Sequence, residues 1–226
     1  MKEKKPITKK KRIIRAIVLT LVSCFLLALI IPFSIYGIRS ASIDNSYSYL
    51  FTENKITEKK IDDVPIIKQD VSCGYAIIEM LSDFYGNKVT ENELFERNNK
   101  SVSTQTTGGF VKEINKCIPN KNYKSKEYLK NDQLLLTINK SLLNNNPVAV
   151  EWAALMDTEW TLHWSIVTGM DLEKVYVNNP YGYKEEITYD EFISRTTFKA
   201  FKNMHIGFHF GFAYGLFSKN TIIVSE

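Results

Sequence analysis

The chain has 226 residues, 44% apolar and 24% charged, which leaves room for one folded domain and an anchoring segment but not for two large domains. Its net charge of +4 is confined to one end: residues 1–15 carry eight Lys/Arg and one Glu, so the remaining residues carry about −3. The folded part has no basic excess, and nucleic-acid binding is excluded on that ground.

Residues 1–15 form a basic head that closes with Lys9-Lys10-Lys11-Arg12 and Arg15. Ala16 to Ile38 follows, 23 residues without a charge. As a helix this run spans about 34 Å, enough to cross a bilayer core. Residues 16–38 are therefore read as a membrane anchor, with the basic flank on the cytoplasmic side and everything after Ile38 outside the cell. Pro32, Ser34 and Gly37 weaken its outer end. A cleaved signal peptide is the first alternative, since Ser40-Ala41-Ser42 supplies small residues for cleavage and a secreted domain would result. A lipoprotein box at Leu21-Val22-Ser23-Cys24 is the second, but apolar residues continue past Cys24 where a mature polar chain would begin. Residues 39–62 are polar and read as a juxtamembrane linker, and the folded domain takes residues 63–226.

From Cys73 the pattern turns helical, with Ala76, Ile77, Met80, Leu81 and Phe84 on one face and Gly86-Asn87 as the stop. Thr90 with Glu93 has capping-box spacing and opens a short helix. Gly108-Gly109 precedes a helix over Phe110–Cys117, and Asp132–Leu143 is another. The period then changes. Pro147–Trp152, His163–Met170 and Lys174–Asn178 read as strands, Thr188–Phe192 as a helix start, and His205–Phe217 and Thr221–Val224 as closing strands. Helices first and strands after indicate an α+β domain.

The chemistry centres on Val64-Pro65-Ile66-Ile67-Lys68-Gln69-Asp70-Val71-Ser72-Cys73-Gly74. A thiol at a helix start meets unpaired backbone N–H groups and the positive end of the helix dipole, which favour thiolate. A cysteine hydrolase also needs an imidazole, a group that orients it, and donors for an oxyanion. Only three histidines are present. His163 opens a buried strand and can stand at the rim of a sheet; Asn179, before Pro180, follows one strand later and can accept the imidazole N–H. Gln69 and the Cys73 backbone N–H are the candidate oxyanion donors. Cys117 lies on the apolar side of its helix and reads as an inert buried thiol. His205 and His209 have helical metal spacing inside a strand-like stretch, so no metal site is expected, and Trp160 and Trp164, which flank the base in sequence, read as packing first and as walls of a substrate groove second.

With these residues in place the chain resembles the papain-like bacterial cysteine peptidases related to the double-glycine leader peptidases that process bacteriocin precursors. The matching residues are Val64-Pro65, Gln69, Cys73-Gly74, Tyr85-Gly86, His163, Thr168-Gly169-Met170-Asp171 and Val175-Tyr176-Val177-Asn178-Asn179-Pro180-Tyr181-Gly182. The resemblance covers roughly residues 64–192. It implies N-terminal helices packed on an antiparallel sheet, with Cys73 as nucleophile, His163 as base, Asn179 as orienting residue and Gln69 as oxyanion donor. It implies no cofactor and a peptide or protein substrate. The family often has Asp where this chain has Asn179, and its glutamine lies further upstream of the cysteine. Its transporter-fused members face the cytoplasm, so a double-glycine leader substrate is not implied. The expected function is a membrane-anchored, outward-facing thiol peptidase of a bacterial envelope. The alternatives are an inactive, membrane-tethered peptide-binding or immunity module on the same fold, and a purely structural envelope protein.

Overall fold

The computed structural model describes residues 9–226, so the first part of the basic head, residues 1–8, lies outside the described residues. Helix α1 (Lys9–Ser42) carries the whole uncharged run and is long and apolar enough to cross a membrane. It continues through Pro32 to Ser42, so the proline removes one N–H without ending the helix.

The stretch read as a linker packs against the domain instead. It contains helix α2 (Tyr49–Thr52) and strand β1 (Lys59–Lys60), and Ile43, Leu50, Ile56 and Ile61 are buried. These four apolar residues are irregularly spaced among polar ones, so no periodicity betrays them.

Four helices follow: α3 (Cys73–Phe84), α4 (Glu91–Arg97), α5 (Thr107–Cys117) and α6 (Asn131–Leu143). The face expected on α3 is the buried one, including Ala76, Ile77, Met80 and Leu81. Each large apolar side chain on it contributes roughly 1.5–3 kcal/mol by leaving water. The Thr90–Glu93 capping box forms with both of its bonds, fixing the start of α4.

The sheet is antiparallel, in the order β2-β7-β3-β4-β5-β6, with β1 paired to the last residues of β4. Its strands are β2 (Tyr123–Lys126), β3 (Val148–Met156), β4 (Glu159–Met170), β5 (Lys174–Asn179), β6 (Tyr183–Thr188) and β7 (Thr221–Ser225). β3 and β4 form a long hairpin that sets Trp152 opposite His163, turning at Asp157 with its φ of 54°. The domain is therefore α+β, with helices packed on an antiparallel sheet. Helix α7 (Tyr189–Thr196) starts at the Thr188 cap.

His205–Phe217 is not a strand. It forms helix α8 (Ile206–Ala213) followed by a turn at Gly215, whose φ is +74°. Alternating glycines and aromatics mimic a strand pattern, but Gly211 has a packing reason: a Cβ there would clash with the Phe217 ring.

Candidate active site

Three elements converge on Cys73. Cys73 is the first residue of α3, and the Ser72 hydroxyl caps the helix by accepting the Tyr75 N–H at 3.2 Å. The backbone N–H groups of Trp164, Gly74 and Cys73 act on the thiol in the direction of thiolate. Trp164 follows His163 in β4, so the nucleophile position sits against that strand. Gly74 is required beside it, because a Cβ would run into the Thr104 side chain.

The approach to Cys73 is held by a residue the sequence did not flag. Glu91, buried at the start of α4, accepts the backbone N–H groups of Asp70, Val71 and Ser72 at 2.9, 3.0 and 2.9 Å. Its own N–H donates to Glu79 Oε2 on α3 at 2.7 Å. Glu91 looks like an ordinary first-turn acid, since nothing local shows that its partners lie about 20 residues earlier. A second tie comes from the Gln69 N–H, which donates to the Pro180 carbonyl at 2.7 Å and brings the segment before Cys73 to the end of β5.

His163 and Asn179 meet directly. His163 Nε2 and Asn179 Oδ1 are 2.9 Å apart, and both residues are buried. Asn179 Oδ1 also accepts the Tyr181 N–H at 3.0 Å, while Asn179 Nδ2 donates to Glu185 Oε1 on β6 at 2.7 Å. Glu185 is ion-paired to the buried Arg195 of α7 at 2.6 Å. The Arg195 guanidinium lies 3.5 Å over the Trp152 ring and donates through Nε to the Ala153 carbonyl at 2.8 Å. A carboxylate only accepts, so Glu185 forces the NH2 end of Asn179 toward itself and the oxygen toward His163. The oxygen in turn requires the proton on Nε2, which leaves the lone pair on Nδ1.

Burial pushes the His163 imidazole down to about 4, with the Arg195 charge acting the same way and the Asn179 bond opposing. Burial pushes the Cys73 thiol up to about 11, against the three N–H groups that favour thiolate. Desolvation thus acts against the thiolate that the helix start favours. No hydrogen bond joins Cys73 Sγ to the imidazole among the described residues. The Tyr181 ring stacks on His163 at 4.1 Å.

Cys73 opens into a groove of about 470 Å³ walled by Gly74, Thr104, Leu162, Trp164, Phe208 and Phe217. Trp164 therefore lines the groove as well as packing on Phe110. A neighbouring hollow of about 450 Å³ contains Gln69, Tyr181 and Tyr183, and the Gln69 Oε1 atom is buried without a hydrogen-bond partner among the described residues. Cys24, Cys73 and Cys117 are unpaired, and the buried Cys117 sulfur accepts from Arg97 at 3.2 Å. Among the described residues no cluster of His, Cys, Asp and Glu is arranged to hold a metal.

Residues 61–206 match the model of the Peptidase_C39-like family, more than half of the chain. The chain belongs to this family. Its fold is similar to that of a C39-like peptidase from Bacillus anthracis, with a TM-score of 0.52 at 16% identity, covering 75% of this chain and 98% of that one. A double-glycine-motif protease domain from an AMS/PCAT transporter, solved with a leader peptide, aligns with a TM-score of 0.49 at 16% identity over 75% of this chain and 95% of that one. No curated protein matches the sequence. In this C39-like domain the residues singled out by the family resemblance, Gln69, Cys73, His163 and Asn179, lie around the α3 start and the adjoining parts of β4 and β5. Glu91, Glu185 and Arg195 surround them and carried no local signal; only the folded chain brings them in.

Proposed function

We propose that this chain is a membrane-anchored thiol peptidase that hydrolyses a peptide or amide bond through Cys73, His163 and Asn179. The observation that carries the reading is the His163–Asn179 bond of 2.9 Å, locked by Glu185 in the orientation that leaves Nδ1 basic, next to a cysteine at a helix start. Cys73 Sγ attacks the carbonyl carbon while His163 Nδ1 takes the thiol proton. The Cys73 N–H and the Gln69 carboxamide stabilise the oxyanion. His163 returns the proton to the leaving amine, and a thioester remains on Cys73. His163 then deprotonates a water that attacks the thioester, releasing the acid and restoring the thiol. Contacts of this kind tighten when substrate arrives, so a rotation of the Cys73 side chain toward Nδ1 is part of the first step.

The anchor is α1, with Lys9-Lys10-Lys11-Arg12 on the cytoplasmic side and the domain outside. The desolvation of the thiol and its lack of a direct bond to His163 favour a second reading, a peptide-binding module that no longer cleaves. An electrophilic peptide probe separates the two. Labelling that disappears in Cys73→Ala and His163→Ala but survives Cys117→Ala supports the peptidase. An unlabelled, folded protein supports the binding module.

A further inference from the structure

Helix α8 has apolar residues on every side, with His209 its one polar side chain, yet it lies at the surface. Ile206, Phe210, Tyr214 and Leu216 are 66%, 39%, 50% and 56% exposed. A helix that is apolar all round belongs in a protein core or in lipid. Its contacts with α1 set its depth. Phe210 meets Phe33 edge-on at 5.1 Å, and the Tyr214 hydroxyl donates to the Ala28 carbonyl at 2.9 Å. Ala28 lies ten residues inside the end of the uncharged run at Ile38, or about 15 Å at 1.5 Å per residue, and Phe33 about 7 Å.

The charged contacts cluster at the other end. Lys219 lies over Tyr36, Arg39 over Tyr128, and Lys199 pairs with Asp44. Along α1 the contacts thus pass from aromatic and apolar to cationic, as they do across a membrane interface. The backbone of the return after α8 bonds internally, as lipid requires. The N–H groups of Tyr214, Gly215, Leu216 and Phe217 donate to the Phe210, Phe212, Gly211 and Gly211 carbonyls.

We propose that α8 and the return through Phe217 form a re-entrant wedge inserted into the acyl chains of the leaflet on the domain's side of the bilayer that α1 crosses. The proposal rests on reading α1 as a membrane span and is independent of the peptidase chemistry. Phe208 and Phe217 belong both to this wedge and to the wall of the Cys73 groove. The groove is thereby seated at the membrane surface, where a peptide held against the bilayer reaches it.

The test uses the full chain in vesicles of phosphatidylcholine with a minority of phosphatidylglycerol. Single cysteines replace Leu27 on α1, Leu216 on the wedge and Leu143 at the end of α6 remote from α1, in a background carrying Cys24→Ser, Cys73→Ala and Cys117→Ser. Each carries a bimane, and the lipids carry a nitroxide on the acyl chain. Labels at Leu27 and Leu216 are expected to lose most of their fluorescence and the label at Leu143 almost none. Quenching at Leu27 but not at Leu216 overturns the wedge and leaves the anchor standing. No quenching at Leu27 removes the anchor and the wedge with it. Phe210→Cys gives the same reading should Leu216→Cys fail to fold.

Discussion

Asn179 stands where the family often has aspartate, and Glu185 behind it gives a physical reason. The Asn179 Nδ2 atom lies 2.7 Å from Glu185 Oε1. Asn179→Asp would place a second carboxylate at that distance in a buried site. At an effective dielectric near 20 two unit charges there repel by about 6 kcal/mol. The pair relieves this by taking up a proton, and holding a carboxyl of ordinary pKa ~4 protonated at pH 7 costs about 4 kcal/mol. Part of that is offset by Arg195, so the expected loss is about 2–4 kcal/mol at pH 7, shrinking as pH falls toward 5. Asn179→Asp with Glu185→Gln restores the charge count: the introduced amide donates to the introduced carboxylate, and its oxygen still faces Arg195. Chemical denaturation of the detergent-solubilised chain at both pH values closes the cycle, with a coupling of at least about 1 kcal/mol expected between contacting sites. An Asn179→Asp variant as stable as the parent at pH 7, or no recovery in the double variant, refutes the role given to Glu185.

Glu91→Ala leaves three N–H groups without their acceptor just before Cys73; a loss of about 2–4 kcal/mol is expected in the same denaturation assay, together with slower probe labelling. His163, lowered to about 4, binds its proton later in the folded chain than in the unfolded one, so its contribution to stability is present above about 6.5 and is lost as pH falls toward 4. The acid limb of kcat/KM should accordingly fall near 4, and an inflection near 6.5 would contradict the burial of the imidazole. Glu151, buried on β3 with Oε2 unpartnered, is pushed up to about 8 by burial and then by the Glu127 charge. The unfolded chain ionises it first, so stability falls as pH rises from about 4.5 to about 8, and Glu151→Gln should flatten that slope in melts across the range.

The parts of the fold that announce themselves in sequence are those with a period. The α3 face repeats every three or four residues, the β3–β5 strands are apolar runs, and the Thr90–Glu93 pair forms the box its spacing suggests. The edge strands do not: Tyr-Lys-Ser-Lys in β2 and Tyr-Lys-Glu-Glu-Ile-Thr in β6 are polar, as edges exposed to water must be. α8 fails for the opposite reason, since apolar residues spread around the helix leave no single face for a pattern to reveal. Within the site, the small number of histidines and the strand order bring His163 and Asn179 together on paper before they meet in space. Glu91, Glu185 and Arg195 act across turns and between elements, where only the folded chain defines their partners. The desolvation acting on the thiol escaped too, because a helix start is visible in sequence and the surroundings of the sulfur are not.

The central claim is that Cys73 and His163 cleave amide bonds. Its most direct test is incubation of the full-length chain, reconstituted in vesicles, with a diverse peptide mixture, reading new termini by mass spectrometry. The account predicts cleavage by the parent, none by Cys73→Ala, and a fall of about 100-fold or more in His163→Ala, the scale of a lost general base. Cleavage that persists in Cys73→Ala, or a His163→Ala variant with parental turnover, would contradict it.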